Sequence, residues 1–170
     1  MIADAALRAS TGEADRQDLA LLLEAEVEYL DRRRYRDWLD LYTQDCLYWM
    51  PLNEEQTDPL DHVSLFYEDR TAMELRIKRI THPRAHSLVP PVRISHLCGA
   101  VSLDRVDADS GEWVLTRRFQ VTESQGDRTR SFAGFFTYHV PRVEDQMRIR
   151  VKRVDLVNCE AALEAIQVYI

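Results

Sequence analysis

The sequence predicts an α+β fold in which N-terminal helices pack on a strongly curved antiparallel sheet. Three observations carry the prediction. Apolar residues recur at helical intervals as far as about Arg79. From Val92 the period changes to two and stays there almost to the last residue. Gly99 and Gly134 fall in the middle of strand-like runs, where glycine marks a bend or bulge of the kind a curved sheet needs. Helices first and long strands afterwards put the helices on one face of the sheet. At 170 residues the chain is one domain by length. Folding at that size withdraws roughly 70% of the unfolded surface from water, enough for a core without disulfides or metal.

The elements follow in order. Residues 1–12 are small and polar and are expected to be poorly ordered, with one domain over 13–170. Ser10 and Glu13 have the spacing of a capping box, in which each side chain satisfies a free amide at a helix start. Leu19, Leu22, Leu23, Val27 and Leu30 then form one apolar stripe. After Arg32-Arg33-Arg34, read as the solvated edge of a helix pair, Tyr35, Trp38, Leu39 and Tyr42 repeat at helical spacing. Cys46 to Met50 reads as a short strand closed by Pro51, which cannot donate to a ladder. Asn53 to Asp61 is an acidic loop. Phe66, Met73, Ile77 and Ile80 mark a third helix, with Arg76, Lys78 and Arg79 favouring its negative pole. His82-Pro83 stops it, because the residue before proline is driven from the helical region.

Four strands follow, separated by Asp107–Gly111, Gln125-Gly126-Asp127 and Pro141–Asp145. In the first, Leu97, Val101 and Leu103 alternate with His96, Cys98 and Ala100. In the second, Trp113, Leu115, Arg117, Phe119 and Val121 share a face. Arg130, Phe132, Gly134, Phe136 and Tyr138 do so in the third, and Met147, Ile149 and Val151 in the fourth.

Composition removes several function classes. A net charge of −7 argues against nucleic acid, and five glycines leave no phosphate cradle. Three isolated cysteines, Cys46, Cys98 and Cys159, make no disulfide framework and suit a reducing cytoplasm. No apolar run has the roughly 20 residues a membrane span requires, and the N-terminus lacks the apolar centre of a secretory signal. No Gly-x-Ser-x-Gly elbow is present.

Three sets of residues could carry chemistry. Iron would require two histidines and a carboxylate on one face, but Pro83 between His82 and His86 prevents a helical pairing. A Rieske cluster needs two close Cys/His pairs, and only His96 and Cys98 stand near each other. No metal or cofactor site is therefore expected in this chain. The second set is His96 with Asp45, a candidate acid/base pair for a stand-alone dehydratase or isomerase working inside the cone. The plainer reading makes His96 a hydrogen-bonded core histidine and Asp45 the end of a helix. The third set, Arg117, Phe136, Tyr138, Arg148, Arg150 and Lys152, combines the arginine and aromatic types enriched at interfaces, against the plainer reading of a solvated cationic face.

Several fragments, taken in order, resemble one family. They are Tyr35-x-x-Trp38-Leu39-x-Leu41-Tyr42, Asp45, Tyr48-Trp49-Met50-Pro51, Glu68-Asp69-Arg70 and Leu75-Arg76-Ile77-x-Arg79-Ile80. Arg93-x-Ser95-His96, Phe132-Ala133-Gly134 and Lys152-Arg153-Val154-x-Leu156-Val157-Asn158 complete the set. From about Glu24 to Ile170 the chain resembles the small, beta subunit of bacterial aromatic-ring-hydroxylating dioxygenases. The resemblance implies an NTF2-like cone and a non-catalytic subunit, inactive alone, in a cytoplasmic complex of aromatic catabolism. It implies a partner alpha subunit carrying a Rieske [2Fe-2S] cluster and mononuclear iron, assembly as an α3β3 hexamer, and self-association as a trimer. Ser64–Tyr67 adds a slight preference for a carboxylated aromatic substrate.

Overall fold

The computed structural model of the chain describes residues 12–170. Two helices, two strands and a third helix precede the long strands of a curved sheet. Helix α1 spans Glu13–Asp31, α2 Tyr35–Asp40 and α3 Arg70–Ile80. The strands are β1 (Tyr42–Pro51), β2 (Ser64–Asp69), β3 (Arg93–Cys98), β4 (Ser102–Val106), β5 (Trp113–Gln125), β6 (Arg128–Val140), β7 (Arg142–Val143), β8 (Gln146–Met147) and β9 (Ile149–Leu156). The main sheet runs β2-β1-β9-β6-β5-β3, with β4 also on β5, and β7 pairs with β8 as a separate ribbon. The helices cover its inner face, giving the expected α+β cone.

The expectation of a wholly antiparallel sheet needs one correction. β1 runs parallel to β9, with Tyr48 opposite Lys152 and Trp49 opposite Arg153. A period-two pattern records which face is buried and carries no sign of strand direction, so the sequence could not show it. Elsewhere the ladder is antiparallel. The longest pairing joins β5 to β6 from Trp113–Val140 to Gln125–Arg128. β3 and β4 lie end to end along β5, parted at Gly99, whose amide donates to the Arg118 carbonyl at 2.9 Å.

Local chemistry sets the helix limits. Gly12 is the N-cap of α1 and offers no side chain; Glu13 and Asp15 complement the positive end of the dipole instead. Ser10, like most of the 1–12 segment, lies outside the described residues. Asp69 caps α3 by accepting from the Ala72 amide at 2.8 Å, while Lys78 and Arg79 close its last turn. That cap corrects the third helix, because Phe66 belongs to β2. Phe66 and Glu68 point inward and Tyr67 and Asp69 outward, a period of two that the longer spacing Phe66–Met73–Ile77 concealed. β1 is also longer than expected, beginning at Tyr42 directly after α2.

The core fills the cone from both layers. Leu19, Leu22, Leu23, Val27 and Leu30 of α1 meet Leu115, Phe119, Val121, Phe136 and Tyr138 of the sheet. Trp38, Tyr48, Phe66 and Tyr169 form an aromatic group, with the Trp38 and Tyr169 ring centroids 4.5 Å apart. Val168, Tyr169 and Ile170 are buried among them.

Candidate functional site

The inner face of the cone carries an array of charge. Glu26 occupies the one polar position in the buried stripe of α1. Its Oε1 accepts from Lys152 Nζ at 2.7 Å, Trp38 Nε1 at 2.7 Å and the Tyr42 hydroxyl at 3.3 Å. Its Oε2 accepts from the Tyr138 hydroxyl at 3.2 Å. Burial alone raises a carboxyl pKa, but Lys152 and the Trp38 indole N–H outweigh it and hold Glu26 below its ordinary value. Burial pushes Lys152 down, opposed by Glu26, and moves the Tyr138 and Tyr42 hydroxyls well up. Lys152 also donates to the Ile170 carbonyl at 2.9 Å and lies 4.1 Å above the Phe136 ring.

His96 stands on the inner face of β3, its side chain 1% exposed. Its partner is Asp31 at the end of α1, with Nδ1 2.6 Å from Oδ1. The Asp31 carboxylate also accepts from the His96 backbone amide at 3.0 and 3.2 Å. This bond fixes the ring and leaves Nε2 buried without a partner among the described residues. Asp45 is elsewhere. It is exposed on β1, separated from β3 by β9, β6 and β5. The His96–Asp45 acid/base pair of the alternative reading is therefore not assembled, and His96 is a hydrogen-bonded core histidine. Asp31 takes the place assigned to Asp45, because the end of α1 crosses over β3 and no pattern within either strand records that crossing.

The six residues expected at an interface divide sharply. Arg117, Phe136, Tyr138 and Lys152 are 2%, 0%, 0% and 0% exposed, so they face the interior and present no outer surface. Lys152 is inward because the chain changes face within β9: Ile149 is buried, Arg150 and Val151 are half-buried, and Lys152, Val154 and Leu156 then point in. Arg117 Nη1 donates to the Leu23 carbonyl and to Glu24 Oε1, each at 3.2 Å. Burial pushes the neighbouring Cys98 thiol up against the pull of the Arg117 guanidinium. Arg148 and Arg150 do reach the surface. Arg150 grips Glu112 with two donors, Nη2 at 2.6 Å, and Arg148 holds the Asp40 carbonyl and, at 2.5 Å, Gln146. Both line a groove of about 850 Å³ with Asp45 and Arg70.

Sequence reasoning missed Asp31, Glu24 and Glu26. The signal for Glu26 was available, since it falls on the stripe of Leu19, Leu22, Leu23, Val27 and Leu30 at the same helical interval. Among the described residues no three His, Cys, Asp or Glu side chains gather where they could hold a metal ion. Among the same residues no helix is long and apolar enough to cross a membrane.

Residues 25–161 match the family model described as ring hydroxylating beta subunit. The chain is 29% identical over 154 residues to the small oxygenase component of the p-cumate 2,3-dioxygenase system of Pseudomonas putida, covering 89% of this chain and 82% of that one. The solved beta subunit of the benzoate 1,2-dioxygenase of Burkholderia mallei superposes with a TM-score of 0.71 at 27% identity, covering 94% of this chain and 99% of the other. A naphthalene 1,2-dioxygenase structure matches with a TM-score of 0.79 at 16% identity over 94% of this chain and 88% of its own, a likeness of fold. A cone whose interior is occupied by its own core and ion pairs, matched over most of its length by that family, places this chain among the beta subunits of the ring-hydroxylating dioxygenases.

Proposed function

We propose that this chain acts as the non-catalytic subunit of a cytoplasmic aromatic-ring-hydroxylating dioxygenase, holding an alpha subunit that carries a Rieske cluster and mononuclear iron. The observation that carries the reading is the family match over residues 25–161. The filled cone supports it: Trp38, Tyr48, Phe136 and Tyr169 take the space a substrate would need. By the family's pattern the assembly is an α3β3 hexamer built on a beta trimer. Relatives named for p-cumate and benzoate make an aromatic carboxylate the favoured substrate class of the complex. Of the residues named from the sequence, Arg148 and Arg150 remain as candidates for the partner-facing surface.

The test is affinity capture of the tagged chain from cells that also express an alpha subunit, with iron assayed in the eluate. An equimolar iron-bearing complex is expected, and the purified chain alone should not turn over an aromatic acid. Recovery of this chain without a larger partner, or turnover by the chain alone, would overturn the reading.

A further inference from the structure

Charge is segregated along this chain. No lysine or arginine occurs between Arg36 and Arg70, and no acidic residue from Arg76 to Leu103. The surface of a domain that stays alone commonly intersperses the two signs. Part of the imbalance is neutralised by the fold: Arg70 meets Asp40 and Glu74, and Arg76 meets Glu68. Lys78, Arg79 and Arg84 are exposed and have no carboxylate partner among the described residues. Glu54, Glu55, Asp58 and Asp61 are exposed and, among the same residues, have no cation.

The three unanswered cations line one groove. It has a volume of about 600 Å³ and lies along α3 and the segment that follows it. Ala72, Leu75 and Ala85 give it an apolar lining beside Lys78, Arg79 and Arg84. Glu68 is the acid in the lining, and Arg76 already holds it, with Nε at 2.7 Å. Leu75 is 69% exposed, an apolar side chain in water next to uncompensated positive charge.

The four unanswered acids lie on the loop between β1 and β2, which is held in shape from within. Gln56 is 3% exposed, and its Nε2 donates to the Asp58 carbonyl at 3.3 Å and the His62 carbonyl at 3.1 Å. Asp58 Oδ1 accepts from the Leu60 amide at 2.8 Å. That turn presents Leu60, 77% exposed, between Asp58 and Asp61. A shape fixed before contact loses little entropy on docking. The loop is thus an apolar knob flanked by negative charge, and the groove an apolar hollow flanked by positive charge.

We propose that these are the two halves of one contact between copies of this chain: the 54–61 loop of one protomer, led by Leu60, seats in the α3 groove of the next. The contact withdraws Leu60 and Leu75 from water and brings Asp58 and Asp61 to Lys78, Arg79 and Arg84. Groove against groove, or loop against loop, would set like charges together, so the pairing is between unlike surfaces. Each copy then offers one knob and one groove, and the contact repeats around a closed ring. The inference rests on the self-association proposed above and names the surface that carries it.

The test is sedimentation velocity of the full purified chain and two variants at exposed positions. Lys78→Glu with Arg84→Glu reverses the groove and leaves the loop intact; Leu60→Asp spoils the knob and leaves the groove intact. The wild type is expected to assemble, and each variant should weaken assembly at least tenfold and sediment as a monomer. Mixed in equal amounts, the two variants should form a one-to-one dimer and nothing larger, because one good knob and one good groove remain between them. Only folded chains can form that dimer, so it guards against loss of assembly by misfolding. Wild-type assembly by either variant would overturn this contact and leave self-association standing. A monomeric wild type would overturn both. Variants that stay monomeric when mixed would overturn the knob-and-groove pairing.

Discussion

Arg33 ends α1 in a conformation that glycine adopts at much lower cost. Its φ is +56°, in the left-handed region. The Arg34 amide donates to the Tyr29 carbonyl at 2.7 Å and the Arg33 amide to the Leu30 carbonyl at 2.9 Å, the paired bonds of a Schellman stop. The arginine triplet was legible as solvated edge, and it is exposed; that its middle member carries the turn was not, since glycine is the usual sign. Arg33→Gly should stabilise the fold by about 0.5–1 kcal/mol, visible as a rise of roughly 1–4 °C in Tm by calorimetry. A fall in Tm would mean that the Arg33 side chain holds something the backbone does not show. Gly134 gives the opposite sign. A Cβ there would stand 1.9 Å from the Asp155 carbonyl oxygen of β9. The sequence marked Gly134 as a bend, but the requirement comes from a strand that lies far along the chain. Gly134→Ala forces β6 and β9 apart and should cost about 3 kcal/mol by denaturant unfolding. A loss below 0.5 kcal/mol would show that the two strands give way easily.

At the scale of elements, α1 is joined to the sheet by two ion pairs and one carboxylate–imidazole hydrogen bond. Glu24–Arg117, Glu26–Lys152 and Asp31–His96 each link that helix to a different strand, β5, β9 and β3. The apolar stripe says that α1 packs on the sheet; the acids within and beside the stripe say in which register. Glu26→Gln leaves Lys152 charged and without an anion in the core, and should cost about 3–5 kcal/mol. Glu26→Gln with Lys152→Met should recover a large part of that loss, because the cost lies mainly in the orphaned charge. A double variant no more stable than Glu26→Gln would refute this account. The contribution of Glu26 also depends on pH. Its folded pKa is depressed, so the stability it supplies is complete above the ordinary carboxylate range and is lost as pH falls through the folded value. The difference in unfolding free energy between wild type and Glu26→Gln should therefore shrink on acidification from pH 6 towards pH 3. β2 and α3 show the limit of reading elements singly, since Phe66 satisfies a helical and a strand period at once. Asp69, a good cap, decides between them.

For the whole molecule, the order of elements and the inner faces of β5 and β6 were readable because their periodicity is long and unbroken. What escaped was relations between distant segments: the parallel β1–β9 junction, the Asp31–His96 bond, and the way the last residues close the cone. Tyr169 lies in contact with three early elements. Its ring packs 4.5 Å from Trp38 of α2 and 4.8 Å from Tyr48 of β1, and its hydroxyl donates to Glu68 of β2. Arg76 of α3 binds the same Glu68 carboxylate, with Nε at 2.7 Å. One aromatic residue therefore joins the tail to both helices and strands at the outer end of the sheet. If packing supplies most of this closure, Tyr169→Phe should cost only about 1 kcal/mol, because Glu68 keeps Arg76 as a partner. Tyr169→Ala should cost about 3–5 kcal/mol by emptying a ring-sized space beside Trp38 and Tyr48. Hydrogen exchange should then show faster opening in residues 157–170 and in β1, with the β5–β6 ladder little changed. Equal losses in the two variants would place the stabilisation in the Tyr169–Glu68 hydrogen bond, with the aromatic group reduced to filling space.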